Sequence, residues 1–125
     1  MSEQQTAVAL VTGASSGIGV AIARRFAAAG YRVLATGRSD LRLEALGVDF
    51  PGIERVVADL ASPAECARVV ARCVERLGRL DVLVNNAGIY HRRTAESTSD
   101  EEWRQTLAVN LEAPFYLSRA ALPHL

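Results

Sequence analysis

Short apolar runs alternate along this chain of 125 residues with segments whose apolar residues recur at helical spacing. The four runs are Ala7–Val11, Arg32–Thr36, Arg55–Ala58 and Leu80–Val84. Short continuous runs of this kind are typical of strands that are buried on both faces of a parallel sheet. Strands that alternate with helices predict right-handed crossovers. We therefore predict an α/β fold, in which an open parallel sheet carries helices on both faces and binds ligands at the carboxyl ends of its strands.

The boundaries of the predicted helices carry residues that favour such positions. Gly30, Gly47 and Gly78 each follow a helical segment, as helix-ending glycines do. The segment Ser62–Glu65 has the spacing of a capping box. Ile18, Ile22 and Phe26 form an apolar row at i, i+4 and i+8, which predicts that they lie on the inner face of the first helix.

Composition excludes several functions. Basic and acidic residues balance at 14 each, so no basic excess exists for binding nucleic acid or an anionic membrane. No apolar run could span a bilayer, and the polar segment Met1–Gln5 lacks the basic start of a signal peptide. We therefore expect a cytoplasmic protein that has neither nucleic acid nor a membrane as a partner.

All 14 basic residues are arginines, which excludes any reaction that needs a lysine of this chain. On a helix, Cys66 and Cys73 would share a face but lie about 10.5 Å apart along its axis. That separation is too large for a disulfide, so we expect both to fill the core. No group of residues has the spacing of a metal site.

A glycine-rich turn joins the first strand to the first helix. Gly13 can make the tight turn, Gly17 lets a backbone approach a pyrophosphate, and Gly19 lets the helix pack close to its strand. Ser15 and Ser16 add hydroxyl donors, and the free N–H groups of a helix start attract phosphate. Between a strand and a helix, this pattern favours dinucleotide binding over a turn without a ligand.

Two motifs together resemble those of the short-chain dehydrogenase/reductase family, namely Thr12–Gly19 and Asn85–Gly88. The pairs Asp59–Leu60 and Val109–Leu111 also lie where that family has matching motifs. The resemblance covers nearly the whole chain. It implies a Rossmann-like, doubly wound sheet of strand order 3-2-1-4, within an NAD(P)-binding domain over residues 1–125 that stops before a fifth strand.

The loop and the resemblance together assign the cofactor-binding residues. The glycine loop would hold the pyrophosphate, Asp59 and Leu60 would border the adenine, and Asn86–Gly88 would line the ribose and nicotinamide. For Asp59, a role as a cap for the following segment remains an alternative. The complete predicted set is Gly13, Ser15, Ser16, Gly17, Ile18, Gly19, Arg38, Asp59, Leu60, Asn86, Ala87 and Gly88.

The end of the second strand predicts which dinucleotide is bound. An acid there selects NAD, whereas an arginine accommodates the 2′-phosphate of NADP. Here Gly37 takes the place of the acid and Arg38 follows, while Asp40 is explained as a first-turn helix charge. A guanidinium pairs with phosphate through two parallel hydrogen bonds. We therefore predict NADP rather than NAD, with a solvated Arg38 as the alternative.

One amide side chain follows an apolar spacing. Trp103, Leu107, Asn110 and Pro114 recur at i, i+4, i+7 and i+11 within a single predicted helix, Ser99–Ala121, so Asn110 is expected on the buried face. Because Pro114 has no N–H, it cannot bond the carbonyl of Asn110. Asn110 is therefore either a residue at a helix kink or, as the resemblance implies, a catalytic residue that organises a water in a proton relay.

Two charged features are predicted to be structural. Asp81 opens the fourth strand at the sheet edge opposite to the ligand. His91–Arg93 forms a basic loop at the ligand edge, where we expect a solvated loop rather than a substrate contact.

The resemblance implies an NADP-dependent oxidoreductase that reduces a small carbonyl compound or oxidises an alcohol, and that forms a homo-oligomer. In the family, the catalytic Ser, Tyr and Lys follow a fifth strand, so Asn110 is the one member of the set expected here. A polypeptide of these 125 residues is therefore expected to give no cofactor-dependent turnover over a panel of carbonyl compounds. Two alternatives are a dinucleotide-binding module without catalysis and a structural half that pairs with another chain.

Overall fold

A computed structural model describes residues 6–125, so the prediction made from Met1–Gln5 lies outside the described residues. All strand pairings within it are parallel, and the strand order is β3-β2-β1-β4, with β4 at one edge. Both features confirm the predicted open, Rossmann-like sheet. The strands are β1 (Val8–Thr12), β2 (Arg32–Gly37), β3 (Ile53–Val57) and β4 (Val82–Val84).

The helices cover both faces of this sheet, as predicted for a doubly wound fold. They are α1 (Gly17–Ala28), α2 (Asp40–Asp49), α3 (Pro63–Leu77), α4 (Asp100–Leu107) and α5 (Ala113–Ala121). A π-helical turn, Ala108–Glu112, joins α4 to α5, and a 3₁₀ turn, Leu122–His124, follows α5. The predicted single helix to Ala121 is therefore interrupted by a π turn.

Two cores form because successive strand side chains point to opposite faces. On one face, Val11 and Val33 pack with Leu43 and Leu46 of α2 and with residues of α1. On the other face, strand residues such as Leu10 pack against α3 and α5. Every residue of β1 is buried, which confirms that the strand is covered on both sides.

The boundaries of α2 and α3 correct two predictions. Gly47 does not end α2, because its φ is not positive and the helix continues to Asp49. At the start of α3, Ser62 Oγ accepts a hydrogen bond from the N–H of Glu65, but the reciprocal half of the capping box is absent. The Glu65 carboxylate instead pairs with Arg68 at 2.6 Å, and this hydrogen bond lowers the pKa of Glu65.

The first residues of α1 also differ from the prediction. Ile18 is 73% exposed and does not lie on the inner face, whereas Gly19 and Ala23 are the buried residues of this helix. The first turn of α1 stands at the carboxyl edge of the sheet, so its apolar contacts with the sheet begin only at Gly19. Ile18 is thereby left at the ligand edge.

Both cysteines fill the core, as predicted. Cys66 and Cys73 are fully buried free thiols on the inner face of α3. Burial raises the pKa of the Cys73 thiol to about 12, so this sulfur stays protonated at neutral pH.

Asp81 joins the start of β4 to β1, which supports its predicted structural role. Its Oδ2 accepts a hydrogen bond from the N–H of Val8 at 2.8 Å. Arg79 donates to both carboxylate oxygens, at 2.8 Å and 2.6 Å. The hydrogen bond from Arg79 holds the pKa of Asp81 below its usual value.

Replacing Asp81 with alanine is expected to lower the free energy of unfolding by about 1–3 kcal/mol, because the buried Val8 N–H loses its acceptor. Asp81→Asn keeps an acceptor oxygen and is expected to cost less. The pKa is lower in the folded state, so the carboxylate stabilises fully above its unfolded pKa of about 3.9, and this contribution is lost as the pH falls through the folded pKa. Urea titrations at pH 7 and pH 3 test this. A difference between wild type and Asp81→Asn that does not shrink at pH 3 would contradict it.

None of the helices in residues 6–125 combines the length and the apolar character that a membrane span requires.

Candidate functional site

A cleft of about 470 Å³ opens at the carboxyl ends of the strands. Five segments line it: the glycine loop after β1, the turn after β2, the turn after β3, the loop after β4 and, through Val109, the π turn between α4 and α5. Eleven of the twelve predicted cofactor-binding residues line this cleft: Gly13, Ser15, Ser16, Gly17, Ile18, Arg38, Asp59, Leu60, Asn86, Ala87 and Gly88. Gly19 is the exception, because it is buried directly beneath the glycine loop.

The glycine loop is packed too closely to hold side chains at two positions. Gly13 has a φ of +64°, and a Cβ there would lie 2.8 Å from the Cα of Ala87. A Cβ on Gly19 would overlap the carbonyl oxygen of Gly13. The first turn of α1 can therefore approach β1 only because these residues are glycines. Gly17 differs, since no atom lies within 4 Å of its Cβ position, which faces open space.

The side chain of Thr12 connects β1 to the loop after β4. This fully buried hydroxyl donates to the Val84 carbonyl at 3.2 Å and accepts from the N–H groups of Asn86 and Ala87, each at 3.0 Å. The Asn86 amide returns the contact, because its Nδ2 donates to the carbonyls of Thr12 and Gly13 at 3.2 Å. Sequence reasoning included Thr12 in a motif but assigned it no role, although a polar residue that ends a buried strand needs partners.

The turn after β2 has no acid at its first position. Gly37 is buried, and a Cβ there would lie 2.8 Å from Ser15 Oγ and 3.0 Å from Ser15 Cβ. Arg38 follows with an exposed side chain, and Ser39 and Arg42 line the same cleft. Within residues 6–125, Arg38 has no carboxylate partner. Neither Ser39 nor Arg42 was predicted at this site from the sequence.

The turn after β3 contains the residues predicted to border the adenine. The exposed Asp59 accepts a hydrogen bond on Oδ1 from the N–H of Ala61 at 3.0 Å. This is the capping contact left open as an alternative, and the contact with adenine stays a prediction. Leu60 is 6% exposed and presents a small apolar surface to the cleft.

Asn110 lies in the π turn and is exposed, so the prediction that it lies on a buried stripe is wrong. The residues that α5 buries are Ala113, Leu117 and Ala121. The expected i, i+4, i+7 spacing assumes a regular α-helix, and the π turn adds residues per turn and rotates the following segment. Asn110 does not line the cleft.

The Asn110 side-chain amide makes two hydrogen bonds with the main chain of Ile89. Its Oδ1 accepts from the Ile89 N–H at 2.8 Å, and its Nδ2 donates to the Ile89 carbonyl at 2.9 Å. Ile89 lines the cleft directly after the predicted segment Asn86–Gly88. Asn110 therefore fixes the path of the loop after β4 from outside the cleft.

The basic loop is more structured than predicted. Arg93 Nε lies 3.0 Å from the Glu102 carboxylate, and His91 Nδ1 lies 3.6 Å from the same oxygen. Glu102 also completes a capping box with Ser99 at the start of α4. The hydrogen bond from Arg93 lowers the pKa of Glu102, and the Ser99 N–H adds to this effect. Arg92 is exposed and has no side-chain hydrogen bond or ion pair within residues 6–125, so the expectation of a solvated loop holds for this residue.

A smaller cleft of about 340 Å³ adjoins the first and shares part of its wall. It extends toward Tyr90, His91 and Gln105.

The parallel sheet and the glycine loop beneath a helix start define a Rossmann-like α/β protein. A family model described as "short chain dehydrogenase" matches residues 7–125. The chain belongs to the short-chain dehydrogenase family, as the sequence motifs indicated.

Named relatives extend this result. The chain is 46% identical over 123 residues to the putative ketoacyl reductase 2 of the granaticin polyketide synthase of Streptomyces violaceoruber, a match that covers 94% of this chain and 49% of that protein. A variant of the actinorhodin polyketide ketoreductase, solved with NADPH, superimposes with a TM-score of 0.91 at 36% identity, over 98% of this chain and 48% of that one. A metagenomic short-chain oxidoreductase, solved with NADP, superimposes with a TM-score of 0.90 at 38% identity, over 98% and 58%. The chain thus spans about half the length of the curated relatives it matches.

Proposed function

We propose that the chain is the NADP-binding portion of an oxidoreductase that transfers hydride between its cofactor and the carbonyl or alcohol carbon of a small molecule. The observation that carries this proposal is the cleft, where the glycine loop, the start of α1 and an arginine without a carboxylate partner among residues 6–125 meet. In this proposal, residues 1–125 form one NAD(P)-binding domain.

The residues of the cleft fit a dinucleotide. The free N–H groups in the first turn of α1, together with Ser15 and Ser16, would hold the pyrophosphate. The open space above Gly17 supports a close approach of the ligand to the main chain. Leu60 offers an apolar surface to the adenine, and Arg38 a guanidinium to the 2′-phosphate. The absence of an acid at Gly37 supports NADP over NAD.

The nicotinamide ring of the bound cofactor supplies or accepts the hydride. The segment Asn86–Gly88 would orient the ribose and the ring. Hydrogen bonds fix the main chain of this loop, to Thr12 at its start and to the Asn110 side chain at Ile89. Both polar atoms of the Asn110 side chain are engaged by Ile89. In the proton relay that the family resemblance implies, the Asn110 main-chain carbonyl would be available to hold a water, because Pro114 has no N–H to bond it.

The names of the relatives support a carbonyl substrate. The granaticin relative is described as a ketoacyl reductase, and so are other relatives among those matched. We therefore propose that the native reaction is the reduction of a small-molecule carbonyl. The homo-oligomer stays a prediction, which sedimentation of the native protein tests.

Titration calorimetry with NADPH and NADH tests the cofactor assignment. We expect NADPH to bind more tightly, and a purified protein that binds neither nucleotide would contradict the proposed function. NADPH oxidation over a panel of aldehydes and ketones, measured on the native protein, tests the reaction. Oxidation of NADPH that does not depend on any carbonyl compound would contradict the proposed substrate class.

A further inference from the structure

We propose that the free edge of β3 is a pairing surface for the same strand of a second copy of this chain, and that Arg68 and Arg76 of α3 hold this surface closed. The edge lies apart from the cleft, since none of the residues of β3 lines it. Its closure is therefore independent of the proposed function, and opening it is expected to make copies of the chain associate.

The strand β3 needs protection at its free side. Among the strands of residues 6–125 it pairs with β2 alone, so it lies at the edge of the sheet. It contains neither proline nor lysine, two residues that commonly protect such an edge, and Val57 is 39% exposed. The charged side chain of Arg55 is directed to α2, where its Nε lies 2.9 Å from Asp40 Oδ1. An edge strand of this composition offers its main-chain groups to another strand.

The main-chain groups of Arg55 and Val57 point to the free side. In a parallel sheet, the N–H and C=O groups of successive residues point alternately to the two sides of the strand. The N–H of Ala58 donates to the Gly37 carbonyl of β2 at 3.0 Å, so Ala58 faces β2. Counting back from Ala58, the residue at 56 also faces β2, whereas Arg55 and Val57 face outward.

Two arginines of α3 bind both outward carbonyls. Arg68 Nη2 donates to the Val57 carbonyl at 2.7 Å, and Arg76 Nη1 donates to the Arg55 carbonyl at 3.1 Å. The two arginines are eight residues apart, or about 12 Å along the helix axis, whereas the two carbonyls are only about 6.6 Å apart along the strand. The long side chains therefore converge on the edge of β3 from two separate turns of α3.

Neighbouring residues show that a row of positive charge is not sufficient for this contact. Glu65 accepts two hydrogen bonds from the Arg68 guanidinium, at 2.6 Å and 3.1 Å, and so holds it in place. Arg72 lies between Arg68 and Arg76 on the same helical face, because the three are spaced four residues apart. Its exposed side chain makes no hydrogen bond or ion pair within residues 6–125. The closure therefore depends on the two arginines that reach the strand.

An added strand has to displace both arginines. Its N–H groups would need the carbonyls of Arg55 and Val57, to which charged donors are already bonded. Hydrogen bonds from charged donors are stronger than those between neutral main-chain groups. The guanidinium groups also occupy the space about 5 Å from β3 where a neighbouring strand would lie. Pairing is therefore opposed both by the loss of hydrogen bonds and by exclusion from that space.

The outward groups of β3 are complementary to those of a second β3. In a two-fold, antiparallel arrangement, Arg55 of one copy lies opposite Val57 of the other, and the two residues exchange both of their main-chain hydrogen bonds. This register places no like charges directly opposite each other within the strand. Because the edges are identical, two copies have to release four arginines before they pair.

Sedimentation velocity of the native protein with Arg68→Ala and Arg76→Ala together tests the closure. We expect this double variant to associate at a concentration at least about tenfold lower than wild type, beyond any oligomer that wild type forms, because the charge-assisted hydrogen bonds no longer oppose pairing. The matched control combines Arg25→Ala with Arg72→Ala, which changes the net charge equally at two exposed arginines. We expect the control to sediment like wild type.

Hydrogen exchange locates the association. In wild type, we expect the amides of Arg55 and Val57 to exchange faster than those of Glu54 and Val56, which face β2. In the associated double variant, the amides of Arg55 and Val57 are expected to become protected as they pair with the second copy.

Several outcomes would overturn the proposal. One is a double variant that associates no more than the control. Another is association without protection at Arg55 and Val57, because the second copy would then be bound elsewhere. Protection of both amides in wild type would show that the edge is not free. Circular dichroism checks folding, and if the double variant does not fold, Arg76→Ala alone is compared with Arg72→Ala, with an expected shift of about threefold.

Discussion

Replacing Gly19 with alanine is expected to lower the free energy of unfolding by about 1–3 kcal/mol and to weaken NADPH binding at least about tenfold. The added Cβ would overlap the Gly13 carbonyl oxygen and would lie 2.7 Å from Asn86 Nδ2. The Gly13 oxygen belongs to the main chain and cannot move aside as the end of a flexible side chain can. The first turn of α1 would have to shift away from β1, and the N–H groups proposed to hold pyrophosphate would shift with it.

Two other glycines provide graded controls for this experiment. Gly17 has a φ of +56° but open space at its Cβ position, so Gly17→Ala introduces backbone strain without a collision. Gly52 has neither a positive φ nor an atom within 4 Å, so Gly52→Ala is expected to leave stability and binding unchanged. Thermal denaturation and NADPH titration of the three variants measure the series. Equal effects of Gly19→Ala and Gly52→Ala would contradict the packing argument.

Replacing Arg38 with alanine is expected to raise the Kd for NADPH about tenfold or more, while the Kd for NADH stays nearly constant. A charge-assisted hydrogen bond contributes about 1.5–3 kcal/mol, and Arg38 has no carboxylate among residues 6–125 that would compete for its guanidinium. NADH has no 2′-phosphate, so its affinity does not depend on a contact at this position.

Arg25→Ala is the matched control for Arg38→Ala, because Arg25 is an exposed arginine in the last turn of α1. Parallel titrations at low and at moderate salt separate the contact from the general charge of the protein, since long-range attraction is screened by salt. An equal loss of affinity for both nucleotides in Arg38→Ala would refute the assignment of NADP.

The layout of the fold could be predicted because it depends on short-range patterns. Continuous apolar runs predicted four strands, and all four are present within two residues of their expected ends. Gly78 was expected to end α3, and it does so with a φ of +82°; Ser39 caps α2 by accepting a hydrogen bond from the Arg42 N–H. In such cases the residue type alone determines the local conformation.

Predictions that depended on competing side-chain partners or on an uninterrupted helix were less accurate. The capping box at Ser62 required a free Glu65, but Arg68 competes for that carboxylate. The burial of Asn110 required a regular helix, which the π turn replaces. The hydrogen bonds between Asn110 and Ile89 join segments about twenty residues apart, and no local spacing encodes such a contact.

Most residues of the candidate site were predicted, but the contacts that connect its loops were predicted less well. Eleven of the twelve predicted cofactor-binding residues line one cleft, because the carboxyl ends of parallel strands meet at one edge of the sheet. The sequence analysis missed Arg42 at this cleft and gave Thr12 no role. The sequence held a signal for each residue. Thr12 is a polar residue that ends a buried strand, and Arg42 is an arginine one turn into a helix that starts at that edge.

The contact between Ser15 and Gly37 limits the order in which this site could change its cofactor during evolution. An acid at position 37 would favour NAD, but its Cβ would lie 3.0 Å from Ser15 Cβ and 3.3 Å from Ser15 N. Rotating the serine hydroxyl away does not remove either contact. A lineage that acquired the acid first would pass through a strained intermediate, whereas one that first replaced Ser15 with glycine would keep only the 3.3 Å contact to the main-chain nitrogen at position 15. Ancestral or engineered switches to NAD are therefore expected to be epistatic, with the change at Ser15 preceding the change at Gly37.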